Sequence, residues 1–210
     1  MFDLLYNIAA FFVKLYYKIF YFAKAEGIEN IPKTGGVILC GNHKSFNDPV
    51  VVAAFSTRKL KFLAKAELFK NKFFSWFLKG VGCVPVDRGS GDLKAMRTCI
   101  KVLKEDNLLL LFPEGTRSCV HIDDVKPGAM LFATKAEVPI VPVGISKLHL
   151  FGHTKVRFGK PIYYNDYYNK KISSEEYRKL TNNLIYEIYK LVDDKCCYYD
   201  EIKASVENEN

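Results

Sequence analysis

Short apolar runs alternate along this chain with segments whose apolar positions recur every three or four residues, the pattern of strands interleaved with helices. Val37 to Cys40, Lys61 to Ala64, Leu108 to Phe112 and Ile140 to Ile145 read as buried strands, with Lys155 to Phe158 as a further one. Between them, Leu93, Met96, Ile100 and Leu103 form one helical stripe, and Lys94, Arg97, Lys101 and Lys104 form a solvated face opposite. Ser173-Ser174-Glu175-Glu176 offers a capping box to a helix whose Tyr177, Leu180, Leu184, Ile188 and Leu191 form the buried side. This alternation predicts an α/β fold with a largely parallel central sheet flanked by helices. Val138-Pro139-Ile140-Val141-Pro142-Val143 carries two prolines, which suggest an edge or a strand start. The body of the fold is expected over 25–192, and the polar stretch 193–210 is expected to fray as a tail.

The first 23 residues are too apolar for an ordinary surface helix. Asp3, Asn7, Lys14 and Lys18 fall on one narrow helical stripe, and the rest of the circumference is Leu, Ile, Phe and Tyr. The longest uncharged stretch, Leu4 to Val13, is ten residues, well short of the roughly 20 that cross a bilayer. A cleavable signal peptide fits poorly, because no basic region precedes the apolar run and no small-residue cleavage site follows it. Residues 1–24 therefore read as an amphipathic helix lying on a membrane surface. A helix packed on the domain's own core is the alternative, and one helix can do both.

At 210 residues and 49% hydrophobic content the chain has material for one sizeable core. A net charge of +8 favours anionic partners. The lysines are scattered and no zinc-finger spacing or RNP-type aromatic motif occurs, which argues against nucleic acid and leaves anionic lipid and phosphorylated substrates. The six cysteines show no CxxC pairing and read as free thiols.

The candidate chemistry begins after the first buried strand. In Gly41-Asn42-His43-Lys44-Ser45-Phe46-Asn47-Asp48-Pro49, four residues separate an imidazole from a carboxylate, a general base with an acid to orient it. Asp48 before Pro49 equally has the pattern of a helix N-cap. At the end of the Leu108 strand, Pro113-Glu114-Gly115-Thr116-Arg117-Ser118 gathers polar groups where ligands bind in open α/β sheets. Gly115 permits close approach of an anion, Thr116 supplies a hydroxyl, and Arg117 offers a planar fork matched to phosphate. Glu114 either holds Arg117 or binds a substrate hydroxyl. Lys65 and Arg88 are further cations at element ends.

Taken in order, these segments resemble the phospholipid and glycerol acyltransferase family. His43 to Asp48 matches its His-x4-Asp motif, and Lys65 to Gly89 resembles its second block. Phe112 to Ser118 matches the third, and Val138 to Val143 the fourth. The resemblance covers roughly residues 25 to 165 and implies a glycerol-3-phosphate acyltransferase-like fold. It also implies transfer of a fatty acyl group from acyl-CoA or acyl-carrier protein to the sn-2 hydroxyl of lysophosphatidic acid. His43 is then the base and Asp48 its orienter. Lys65 and the Gly115 N–H are the oxyanion donors; Glu114, Gly115, Thr116, Arg117 and Arg88 bind the acceptor's phosphate and glycerol. No metal and no cofactor beyond the acyl donor is expected. The implied partners are a lysophospholipid, an acyl thioester and an anionic membrane surface, with no nucleic acid. The implied location is peripheral, on the cytoplasmic face of the membrane. Transfer to another lysolipid, a thioesterase and a lipid-binding protein without catalysis are the competing readings. The sequence carries no signal for oligomeric state.

Overall fold

Leu108-Leu109-Leu110-Leu111 lacks any polar position because its strand is covered on both faces. The computed structural model describes residues 2–86, 93–117 and 121–207. The chain starts with helix α1 (Phe2–Phe20), strands β1 (Lys24–Glu26) and β2 (Val37–Gly41), and helix α2 (Asp48–Phe55). Strand β3 (Leu60–Lys65), helix α3 (Lys72–Gly80), strand β4 (Cys83–Val86), helix α4 (Leu93–Lys104) and strand β5 (Leu108–Leu111) follow. Helix α5 (Gly128–Ala136), strands β6 (Ile140–Ile145) and β7 (Lys155–Phe158), and helices α6 (Ser174–Lys190) and α7 (Tyr199–Glu207) complete the chain.

One seven-stranded sheet has the order β1-β7-β6-β2-β5-β3-β4. Strands β6, β2, β5, β3 and β4 run parallel, whereas β7 is antiparallel to β6 and carries β1 parallel to itself. The two-residue side-chain period of β2 splits the core. Val37 and Leu39 pack with Tyr17 of α1 and with Val51 and Val52 of α2. Ile38 and Cys40 face the other way, into Cys99 of α4, Met130 of α5 and Leu184 of α6. The parallel arrangement brings the C-terminal ends of β2, β5, β3, β4 and β6 to one edge of the sheet.

The fold agrees with the α/β expectation, and several particulars differ. Strand β6 lies inside the sheet, not at its edge. The amide and carbonyl of Ile140 both bond Ile162, so Pro142, two residues on, presents its backbone to that same side. There its carbonyl accepts the Gly159 N–H at 2.8 Å, and the missing proline N–H falls where the ladder to β7 has ended. Strands β1 and β4 escaped sequence reading because both are short edge strands; Pro85 is tolerated in β4 for that reason. Leu93, placed by pattern in the buried stripe of α4, is 63% exposed, and Cys99, Val102 and Leu103 form that stripe. The Ser173 hydroxyl does accept the Glu176 N–H, at 3.1 Å, and so caps α6.

Residues 193–207 also depart from expectation. The stretch forms α7, which packs on α6 and buries Ile202 and Val206, and the loop before it buries Cys196 and Tyr198. Polar residues dominate its composition because only one face of so short a helix touches the core. Helix α1 does two things at once. Tyr6 and Tyr17 are buried against the domain, and the Tyr6 hydroxyl accepts the Leu60 N–H at 3.1 Å. Leu4, Ile8, Phe11, Phe12, Leu15 and Ile19 stand exposed.

Because Ile202 is 1% exposed, Ile202→Ala should lower unfolding free energy by about 2–5 kcal/mol in a urea titration. An unchanged midpoint would mean that α7 is no part of the core.

Candidate active site

Strand β2 delivers the site. Asn42, 3% exposed, closes the strand by bonding β6 twice: its Nδ2 donates to the Ile145 carbonyl at 2.9 Å and its Oδ1 accepts the Ile145 N–H at 2.8 Å. His43 follows at the sheet's C-terminal edge. The chain then turns through Lys44 to Asn47, and Asp48 folds back on it. One carboxylate oxygen, Asp48 Oδ2, accepts the Lys44 N–H at 2.7 Å, the Ser45 N–H at 2.7 Å and His43 Nδ1 at 3.0 Å. A carboxylate can only accept, so the ring nitrogen facing it is the donor: Nδ1 carries the proton and Nε2 is the basic nitrogen.

This geometry replaces the capping reading of Asp48. Asn47 occupies the N-cap of α2 without a side-chain cap bond, Asp48 and Pro49 are its first helical residues, and the carboxylate binds the turn before the helix. Helix α1 approaches from one side: Tyr17 is pushed up to about 12, first by burial, then by Tyr21, Tyr16 and Asp48. The His43 ring, 18% exposed at its side chain, stacks on Phe112 with centroids 4.2 Å apart and planes 18° apart.

Phe112 opens the turn that follows β5. Its carbonyl accepts the Gly115 N–H at 3.1 Å, and the Pro113 carbonyl accepts the Lys126 N–H at 3.0 Å. Gly115 sits at φ +66, the left-handed region that excuses a glycine. Its role as an oxyanion donor is therefore corrected: the N–H is spent inside the turn. Thr116 and Arg117 are exposed, and the Arg117 guanidinium lies 3.2 Å from the centre of the Phe46 ring. Through Phe112 under His43 and Arg117 over Phe46, the His43 loop and the 112–117 turn touch twice.

Glu114 is corrected as well. It holds no ion pair with Arg117 and is 2% exposed, so it reaches neither Arg117 nor a surface ligand in this conformation. The Tyr189 hydroxyl of α6 donates to its Oε1. Burial and Glu114 together push the Tyr189 phenol far up, and the same causes raise the Cys40 thiol, so both stay neutral beside the carboxyl. Lys65 is exposed at the C-terminal end of β3. Strand β5 lies between β3 and β2, which separates Lys65 from the strand of His43 by two ladder spacings, about 10 Å. Arg88 and Ser118 lie outside the described residues. Among the described residues no group of three or more His, Cys, Asp and Glu is placed to hold a metal ion.

Sequence reading missed Asn42, Phe46, Phe112 and Tyr189. The aromatic pair adjoins polar motif residues, and an aromatic next to a catalytic histidine is a usable signal. Tyr189 gives none, because it lies 75 residues from its partner within an ordinary buried helical stripe.

A histidine and an aspartate held in this way, at the C-terminal edge of a mostly parallel sheet and beside an arginine, define an acid–base transfer site. The chain belongs to the acyltransferase family, which residues 23–146 match. It is 34% identical over 176 residues to the 1-acyl-sn-glycerol-3-phosphate acyltransferase of Streptococcus pneumoniae, covering 80% of this chain and 65% of that protein. The protein of the same name from Bacillus subtilis is 31% identical over 151 residues, covering 69% of this chain and 75% of the other. The crystal structure of the 1-acyl-sn-glycerophosphate (LPA) acyltransferase PlsC from Thermotoga maritima superposes with a TM-score of 0.67 at 25% identity, covering 97% of this chain and 80% of that one.

Asp48→Asn keeps the side chain's shape and lets Nδ1 lose its proton-holding partner. Turnover should fall by about 10²–10⁴-fold in a steady-state assay, the scale seen when a histidine is left in the wrong tautomer. Wild-type turnover would remove Asp48 from any orienting role.

Proposed function

We propose that this protein moves a fatty acyl group from a thioester of coenzyme A or acyl-carrier protein to the free sn-2 hydroxyl of lysophosphatidic acid, giving phosphatidic acid. The carrying observation is the single Asp48 oxygen that fixes Nδ1 of His43. The activity for which the relatives are named supports the choice of acceptor.

Nε2 of His43 takes the proton of the acceptor hydroxyl as that oxygen attacks the thioester carbonyl. The tetrahedral intermediate then collapses, the C–S bond breaks, and the imidazolium returns its proton to the departing thiolate. Asp48 stabilises the imidazolium between the two steps. The acceptor is itself the nucleophile, so no acyl-enzyme forms; Ser45 lacks the Gly-x-Ser-x-Gly elbow, and its Oγ accepts the Asn47 N–H at 3.2 Å. With the Gly115 N–H occupied, Lys65 is the remaining one of the two expected oxyanion donors, at a strand end on the same edge of the sheet. Arg117 presents the edge of its guanidinium to the acceptor phosphate while Phe46 covers one face. Arg88 and Thr116 assist in the same role. This chemistry calls for no resident metal or cofactor, because a thioester is already activated.

The reading extends to location. No helix among the described residues is long and apolar enough to cross a membrane. Helix α1 packs against α3, whose Phe73, Phe74, Trp76 and Phe77 are also exposed. These exposed apolar side chains, with exposed Lys18, Lys72 and Lys79 on the same two helices, suit an anionic bilayer. Peripheral attachment on the cytoplasmic face would let both amphiphilic substrates reach the site laterally.

His43→Ala should reduce transfer of labelled acyl groups by about 10²–10⁴-fold while leaving vesicle binding intact. The assay pairs both donor types with a panel of lysolipids. Retained transfer removes His43 as the base, and fatty acid released equally fast without an acceptor turns the reading to a thioesterase.

Phe11→Asp combined with Phe12→Asp tests attachment better than removing α1, because Tyr6 and Tyr17 belong to the core whereas Phe11 and Phe12 are 63% and 62% exposed. Sedimentation with phosphatidylglycerol vesicles should drop at least ten-fold with an unchanged circular dichroism spectrum. Undiminished binding would exclude α1 as the docking element.

A further inference from the structure

Glu114 sits in the turn beside the catalytic histidine, yet it points inward. It is 2% exposed, Oε1 takes the Tyr189 hydroxyl, and Oε2 is buried without a hydrogen-bond partner. A buried carboxyl that keeps one oxygen unsatisfied is costly, and such groups ask for a reason. The surroundings supply one. Cys40, which feels Glu114 electrostatically, lies on β2 three residues before His43. Tyr189 lies on α6, and Cys196, which also feels Glu114, lies on the loop after it. Glu114 thus stands where the strand leading to His43, the 113–117 turn and the C-terminal helices meet.

We propose that Tyr189 is a positioning residue for acyl transfer: its hydroxyl holds the buried Glu114 carboxyl and thereby fixes the 113–117 turn against the His43 loop. Tyr189 touches neither substrate nor His43 and acts through Glu114. The ring is 0% exposed and the residue lies outside the 23–146 stretch that matches the family, so this brace is supplied by the C-terminal part of the chain. The next links are already in place. The Phe112 carbonyl holds the Gly115 N–H, the Phe112 ring underlies His43, and Arg117 caps Phe46. A shift of Glu114 therefore moves both the aromatic support of the base and the phosphate-binding cation. Misplacement by about 1 Å can cost two orders of magnitude in rate.

The inference rests on the acyltransferase reading, and the test separates the two. Full-length wild type, Tyr189→Phe, Glu114→Ala and the double variant are compared with lysophosphatidic acid and acyl-CoA. Tyr189→Phe should lower kcat at least ten-fold and leave KM for acyl-CoA within two-fold. With Glu114 already removed, deleting the hydroxyl should matter little, so Glu114→Ala and the double variant should agree within two-fold. A merely structural hydroxyl would instead lower both backgrounds by the same factor. That comparison stands even if Tyr189→Phe alone fails to fold, since the double variant removes both partners of the buried bond. A wild-type kcat in Tyr189→Phe, or equal losses in both backgrounds, overturns the brace while leaving the acyltransferase intact. Absence of transfer by the wild type overturns the reading on which it rests.

Discussion

One carboxylate oxygen organises the edge of the sheet where His43 sits. Asp48 is 2% exposed, and a buried charge is tolerable only where donors surround it. The Lys44 amide, the Ser45 amide and the His43 ring provide them. Bonds of this kind to a charged acceptor contribute roughly 1.5–3 kcal/mol each. The two amides settle the course of the turn, and once it is settled the ring has one place to go. The tautomer of His43 is thus a consequence of backbone folding. Asn42 does the complementary job on the other side, tying the end of β2 to the end of β6. The histidine is pinned between two anchors that belong to different parts of the sheet.

The parallel sheet makes this economy available. Strands β2 and β5 are direct neighbours running the same way, in register from Val37 opposite Leu108 to Cys40 opposite Leu111. Their loops must leave from the same edge a ladder spacing apart, about 4.8 Å. Ring stacking of His43 on Phe112 follows from that adjacency. Lys65 leaves one strand further away, which suits a group that acts by charge over distance better than one that must hold a side chain in place.

The sequence disclosed these elements unevenly, for physical reasons. The buried strands β2, β5 and β6 are continuous apolar runs with no surface to disguise them, and the His-x4-Asp spacing survives as text because a short turn keeps it local. Strands β1 and β4 lie at the sheet's edges, where Lys24-Ala25-Glu26 needs no apolar signal. Helix α7 hides its core contacts, Ile202 and Val206, among charged residues. The direction of Glu114 was illegible for a different reason. The turn 113–117 is dense in polar groups, and composition cannot tell which of them faces water. Its Gly115 N–H is bonded to Phe112 and its Glu114 is folded under, leaving Thr116 and Arg117 outside.

That division within five residues bears on what the turn is for. A loop that binds a charged lipid must offer donors outward, yet a loop with every polar group outward has nothing to hold its shape. Here the inward residue meets a helix from the far end of the chain, and the outward arginine leans on Phe46 of the histidine loop. The same logic governs α1. Its inward tyrosines fix it to β3 and bring it near Asp48, while its outward phenylalanines stay free for a surface. Because Tyr17 lies close to the carboxylate that holds the base, the helix suited to meet the bilayer and the pair suited to perform the chemistry share one rigid frame. The exposed phenylalanines of α1 and the His43–Asp48 pair therefore hold a relation to each other that the packing of α1 on the domain sets.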